Sequence, residues 1–256
     1  MKKIIVILLT AFVFATNAFS GLTVSPARSE VVMEKNNVFN GSYIIGNDYD
    51  QTINVEISAK NWNNSLENKD VNVEEWLSVS LKSFSLVPGE KREIFYTVKS
   101  ENFKGSLSGM ISFTIQAPGS ESINLMTSVP VYLTVEGTQR NEFSIEKLEV
   151  VNRRINPEVE QKDNKDINIV YTVKNSGNVF LRLIGSLQIT KGKKVIVDRV
   201  IPEQSPVYPD TSRAFYETIS RLRKGKYVAK IVLNGRGVKS EKSVQFRVNK
   251  YGDASF

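Results

Sequence analysis

The sequence has no cysteine and no histidine among its 256 residues. Without cysteine there is no disulfide, no thiol nucleophile and no lipid-attachment cysteine, so the fold must rest on its hydrophobic cores. Without histidine the usual proton shuttle near neutral pH, the histidine-dependent triads and most zinc sites are missing. Carboxylate or Ser–Lys chemistry remains open, but no such residues stand in a catalytic motif. The acidic clusters in NVEEW and EVEQKDNKD occupy polar, turn-like contexts. No enzymatic activity, cofactor or resident metal is expected. GSLSG and NGRG contain glycine but lack the strand-to-helix setting of a phosphate loop, and they read as turns or bulges. GNDYDQ and QKDNKD carry the residue types of weak calcium loops without the full spacing, and they read as plain turns.

Long apolar runs are absent beyond residue 20. Before it, Lys2 and Lys3 precede an apolar stretch from Ile4 to Ala15, followed by Ala18-Phe19-Ser20. This pattern predicts a secretory signal peptide over residues 1–20, cleaved before Gly21, and a mature chain with no transmembrane segment. The lysine-led signal looks bacterial, which places the protein in the periplasm or associated with the cell envelope. Charge of either sign is unevenly shared. Gly21 to Glu142 carries 10 Lys and Arg against 15 Asp and Glu, whereas Phe143 to Phe256 carries 22 against 12. An acidic first half and a basic second half argue for two domains. The basic half is suited to contact with an anionic surface. Secretion argues against a nucleic-acid partner.

Helical periodicity is also absent from every long window, and alternation takes its place. In TINVEISAKNW, Ile53, Val55 and Ile57 alternate with Asn54, Glu56 and Ser58, which predicts a strand with one buried face. VFNGSYIIGN reads as the strand before it. NNSLENKDVNVEE reads as a loop, and Trp76 to Ser100 as strands about the turn pair Pro88-Gly89. Gly105 to Gly137 reads as an extended hairpin around Pro118-Gly119-Ser120. Its second arm has an apolar row, Ile123, Leu125, Val129, Val131, Leu133 and Val135, and Pro130 points to an edge strand or a bulge. After the connector TQRNE the pattern restarts, with turns at Asn175–Asn178, Lys191–Lys193 and NGRG. Some seven strands per half predict an all-β chain: two immunoglobulin-like β-sandwich domains in tandem after the signal peptide. The expected bounds are 21–140 and 141–250, with a C-terminal tail at 251–256.

The stretch LTVSPARSEV near Gly21 alternates like a strand but contains Pro26 and a lone arginine, Arg28. Together with LVPGEKREIFYTV and the long hairpin closing the first half, it resembles the periplasmic pilus-assembly chaperones, the PapD-like family, over Gly21 to Gly137. The resemblance implies a protein that binds incomplete β-sandwich subunits, pilins or other surface proteins, by edge-strand addition and aids their folding or assembly. It implies that Arg28 holds a subunit's C-terminal carboxylate. It also implies that Ile123, Leu125, Val129 and Val131 offer apolar side chains to the subunit. The family's second clamp residue, a lysine on the last strand, has no counterpart, since no Lys or Arg lies between Ser106 and Gln139. The fold alone would favour the alternative, a non-catalytic structural or adhesive module of the cell envelope, and the LTVSPARSEV stretch and the chain length turn the reading toward the chaperones.

Overall fold

The computed structural model describes residues 21–120, 122–152, 166–220 and 222–255. The signal peptide expected over residues 1–20 and most of the QKDNKD turn lie outside the described residues. The first half begins with β1 (Leu22–Ser25), β2 (Ser29–Met33), β3 (Val38–Asn47) and β4 (Ile53–Asn61). A 3-10 turn (Leu66–Asn68) and a one-turn helix, α1 (Val73–Trp76), follow. Then come β5 (Leu77–Val79), β6 (Ser83–Leu86), β7 (Lys91–Lys99), β8 (Ser106–Gln116) and β9 (Asn124–Val135). The second half comprises β10 (Phe143–Asn152), β11 (Ile167–Asn175), β12 (Ile184–Lys191) and β13 (Lys194–Ile201). It continues with β14 (Ser212–Ile219), β15 (Gly225–Gly235), β16 (Val238–Val248) and β17 (Ala254–Ser255).

These strands form two sandwiches. The first packs a β1-β3-β7-β5 sheet on a β2-β9-β8-β4-β6 sheet, and the second packs β10-β11-β14 on β13-β12-β15-β16-β17. Alternation explains the packing. Ile53, Val55 and Ile57 of β4 are buried, and Asn54, Glu56 and Ser58 are exposed. One core draws Tyr43, Ile45, Ile94 and Val98 from one sheet and Val55, Ile111, Phe113 and Val131 from the other. A separate core joins Ile169, Tyr171 and Val173 to Leu187, Ile231 and Phe246.

Two details differ from the sequence reading. The segment read as a loop contains α1, closed by a capping box in which the Asn72 side chain accepts from the Glu74 N–H and Glu75 accepts from the Asn72 N–H. One turn is too short to show a helical period; the Asn-x-x-Glu spacing was its only mark. The tail expected at 251–256 contributes β17, which pairs with β16, so the second sandwich reaches Ser255.

The two sandwiches share an internal device. YIIGN ends β3 and YTVKN ends β11. Asn47 and Asn175 are both fully buried. Asn47 donates to the carbonyls of Gln51 and Leu86 and accepts from the N–H of Tyr49. Asn175 donates to the carbonyls of Val179 and Val207 and accepts from the N–H of Gly177. Each asparagine thus braces the turn after its strand and ties it to a distant segment. Four residues earlier, Tyr43 stacks on Tyr96 at 4.9 Å and Tyr171 stacks on Phe215 at 5.6 Å. The tyrosines differ at the hydroxyl. Tyr43 shares a 2.8 Å hydrogen bond with Ser29, to which Tyr96 also donates, whereas the Tyr171 hydroxyl has no partner among the described residues. Burial pushes both phenols well above their ordinary range.

This difference predicts opposite outcomes for one chemical change. Tyr43→Phe should lower unfolding stability by about 0.5–1.5 kcal/mol, the net worth of a hydrogen bond, in urea denaturation. Tyr171→Phe should be neutral or stabilising, because it removes a buried hydroxyl that bonds to nothing. Asn175→Ala, which orphans several backbone groups at once, should cost about 2 kcal/mol or more.

Candidate functional site

The first strand of the chain is split. β1 pairs antiparallel with β3, while β2 pairs parallel with β9 in the opposite sheet. Pro26, Ala27 and Arg28 carry the chain across. The Pro26 nitrogen has no proton to leave unpaired, so the break falls where the sequence has no donor to offer. β2 covers only Val131 to Val135 of β9. Along its other side β9 pairs with β8 from Asn124 to Thr134 in unbroken register. Asn124 to Pro130 therefore has one open edge: no strand pairs with it among the described residues.

The direction of the backbone groups on that edge follows from parity. The Val135 N–H donates to the Gly105 carbonyl, and the Ile123 carbonyl accepts from the Ala117 N–H. Odd-numbered residues of β9 thus face β8, and Asn124, Met126 and Ser128 direct their backbone N–H and C=O groups to the open edge. Pro130 has the same parity and no N–H. It sits on the edge without a bulge, which is where proline is tolerated.

The apolar row divides along its length. Val129 and Val131 are 2% and 0% exposed and belong to the first core, whereas Ile123 and Leu125 are 54% and 42% exposed. All four have the same parity and so share one face of the strand. Ile115, the register partner of Leu125 on β8, is buried in the first core, so the exposure at Leu125 is confined to the open-edge strand of the hairpin. Val129 and Val131, expected to be partner-facing, fill the chain's own core. Met126 adds an exposed apolar side chain on the opposite face.

Arg28 stands just before Ser29, the residue paired with Val131, and so lies level with Pro130 in the column that continues the open edge. Its side chain is half exposed. It contacts Glu30 at 3.3 Å and Glu203 of the second sandwich at 3.4 Å. The site also contains cations the sequence reading missed. Arg182 donates to Glu30 at 2.8 Å and lies 5.3 Å over the Tyr132 ring. Arg236, in the β15–β16 turn, lies 5.1 Å over Phe180 and donates to Thr134. Both come from the second half, more than 40 residues beyond β9, and no local motif marks them.

These contacts belong to a tight joint between the sandwiches. Tyr132 packs on Phe180 at 4.5 Å, and its hydroxyl lies 3.1 Å from that of Tyr208. Burial, then the hydrogen bond to Tyr132, pushes the Tyr208 phenol upward. The Ser106 N–H donates to the Asn178 carbonyl, and the Ser106 hydroxyl accepts from the Phe180 N–H. Gly105 makes this approach possible: an added Cβ would meet the Asn178 carbonyl oxygen at 2.2 Å. The joint explains why β8 is buried on both faces, its small outward Ser106 and Ser108 included. At its margin Trp62, Met110, Ser128, Pro130, Tyr132 and Tyr208 line a groove of about 270 Å³ beside the open edge.

The two arginines at Glu30 therefore do different work. Arg182 is 14% exposed and holds the joint, so Arg182→Ala should cost about 1–2 kcal/mol in urea denaturation and broaden the interdomain arrangement in small-angle scattering. Arg28 makes only exposed, loosely spaced pairs. Arg28→Ala should change stability by no more than about 0.5 kcal/mol.

No family model matches the chain, and no curated protein matches it. Among solved structures it is similar to the class 5 fimbriae chaperone CfaA, at 15% identity and a TM-score of 0.45 over 89% of this chain and 98% of that one. It is similar to the E. coli chaperone DraB, at 13% identity and a TM-score of 0.42 over 88% and 97%. It is also similar to a chain of the CsuC–CsuE chaperone–tip subunit pre-assembly complex of Acinetobacter baumannii, at 14% identity and a TM-score of 0.43 over 88% and 98%.

Proposed function

We propose that this protein is a chaperone-like factor of the bacterial periplasm that binds an incomplete β-sandwich subunit by adding the subunit's terminal strand to the open edge of β9. The two sandwiches, divided near Arg140, act as one binding unit around the joint. The observation that carries the reading is the alignment of Arg28 with the open column. A segment laid along Asn124 to Ser128 occupies the column that β2 fills farther on. Its C-terminus reaches Arg28 only if it runs parallel to β9.

The chemistry at the end of the column is consistent with a carboxylate. At Pro130 the edge has no N–H to offer, so a terminal oxygen there finds no ladder partner. A guanidinium supplies the missing donors, and its planar fork suits a carboxylate. Anchoring the terminus in turn sets which subunit side chains face the core. Ile123 and Leu125, exposed on the face whose inner part fills the first core, would complete the subunit's own apolar interior. Open edges with exposed apolar side chains invite aggregation, which makes a specific occupant the economical explanation. Arg28 acts here without the lysine that the family resemblance implies, and Glu203 is the carboxylate a ligand would displace.

Two variants test separate parts of this mechanism in a pull-down from native periplasm with mass spectrometry. Arg28→Ala should reduce partner recovery about tenfold while leaving the fold intact. Met126→Pro removes one edge N–H without touching the β8 ladder, and should likewise reduce recovery at least tenfold. A synthetic peptide of the captured subunit's last residues should compete with a free C-terminus and fail when amidated. Unchanged recovery with Arg28→Ala would refute the carboxylate anchor, and unchanged recovery with Met126→Pro would refute strand addition.

A further inference from the structure

The second sandwich carries its positive charge in a pattern that bulk solubility does not require. Along β15 and β16 the outward-facing residues include Lys226 and Arg247, which are direct register partners. Like charges directly opposite on neighbouring strands repel and destabilise a sheet. Neither side chain has an ion pair or hydrogen bond among the described residues. Elsewhere on the same face the charge is neutralised: Glu241 contacts Lys230 at 3.1 Å and Lys239 at 3.7 Å. Only the end beside the β12–β13 turn is left uncompensated.

That end is also concave. Gly192, Lys226, Val228, Gln245 and Arg247, with the buried Tyr227 and Phe246 beneath, line a groove of about 310 Å³, a size suited to a small ligand. The next cross-strand row is Val195, Thr190, Val228 and Gln245, and Ser255 of β17 is the partner of Arg247. The lining thus brings a lysine, an arginine and an amide together, and none of the lining residues carries a carboxylate. Such a set donates hydrogen bonds and positive charge and offers little to a cation.

We propose that this groove is an anion site for a phosphate group, held between Lys226 and Arg247, with Gln245 and Thr190 as neutral donors. Arginine's fork contacts two phosphate oxygens at once, lysine acts as a point charge, and the bound anion relieves their repulsion. The phosphate comes either from a lipid headgroup, with Val195 and Val228 against the lipid, or from a soluble phosphate compound. The site lies on the second sandwich and does not depend on the open edge of β9.

Thermal melting in sodium phosphate against sodium chloride of equal ionic strength tests the site with the full mature chain. The melting temperature of the wild type should rise with phosphate and saturate. Lys226→Gln/Arg247→Gln should bind phosphate at least tenfold more weakly, with an unliganded melting temperature equal to or above that of the wild type. Lys147→Gln/Lys239→Gln, with the same loss of charge elsewhere on this sandwich, should respond as the wild type does. No rise in the wild type, or an equal rise in the groove variant, overturns the proposal. Flotation with phosphatidylcholine vesicles, with and without phosphatidylglycerol, separates the sources. Binding to the anionic vesicles that the groove variant alone loses identifies a headgroup, and phosphate binding without flotation identifies a soluble compound. Equal loss of flotation in both variants means net charge acts without a site, and no loss in either means the groove makes no membrane contact; both overturn the membrane arm.

Discussion

The crossing of the first strand from one sheet to the other, at Pro26 to Arg28, is the constraint on which the candidate site depends. It seats β1 beside β3 and β2 beside β9. Because β2 starts only at Ser29, it covers β9 from Val131 onward and leaves the preceding residues open. The same crossing delivers Arg28 to the end of that open column. An unbroken first strand would have covered one sheet or the other and would not have set Arg28 at the end of an open column. Edge, register and cation thus follow from one local event in the chain.

The second requirement is a fixed joint. The open edge and Arg28 in one sandwich and Glu203 in the other keep their geometry only if the sandwiches hold their relation. Aromatic packing of Tyr132 on Phe180, flanked by Arg182 and Arg236, does this together with backbone bonds between Ser106 and the Asn178–Phe180 segment. Such a joint removes apolar area from water and pairs its charges, which is how an inter-sandwich contact becomes rigid. Within each sandwich, the buried Asn47 and Asn175 repeat one bracing device, so the frame on both sides of the joint is built alike.

Much of this was legible beforehand. Alternation in Ile53–Ile57 and Ile167–Val173 marked buried strand faces, because a pleated backbone sends every second side chain to one side. Pro130 marked an edge, because an interior strand needs every N–H. The turns at Lys191–Lys193 and NGRG stood where glycine permits positive φ, as at Gly192 and Gly237. Three things were not legible. The Tyr-x-x-x-Asn repeat is two identities in a short span, which composition and periodicity do not register. Helix α1 is a single turn, too short to repeat a helical period. The division of the apolar row between Leu125 and Val129 depends on what packs over the edge strand, and no residue within the row encodes that.

The sequence by itself determined the all-β class, the two-core organisation, the split charge and the singular position of Arg28. These are properties of local spacing and composition, and a chain expresses them wherever it folds. Only the tertiary structure decided which part of β9 is open, that Arg28 meets Glu30 and Glu203, and that Arg182 and Arg236 reach the site from the second half. The physical reason is distance along the chain. The joint brings together residues 150 or more positions apart, such as Arg182 and Glu30, and contacts of that separation are set by the packing of whole sheets.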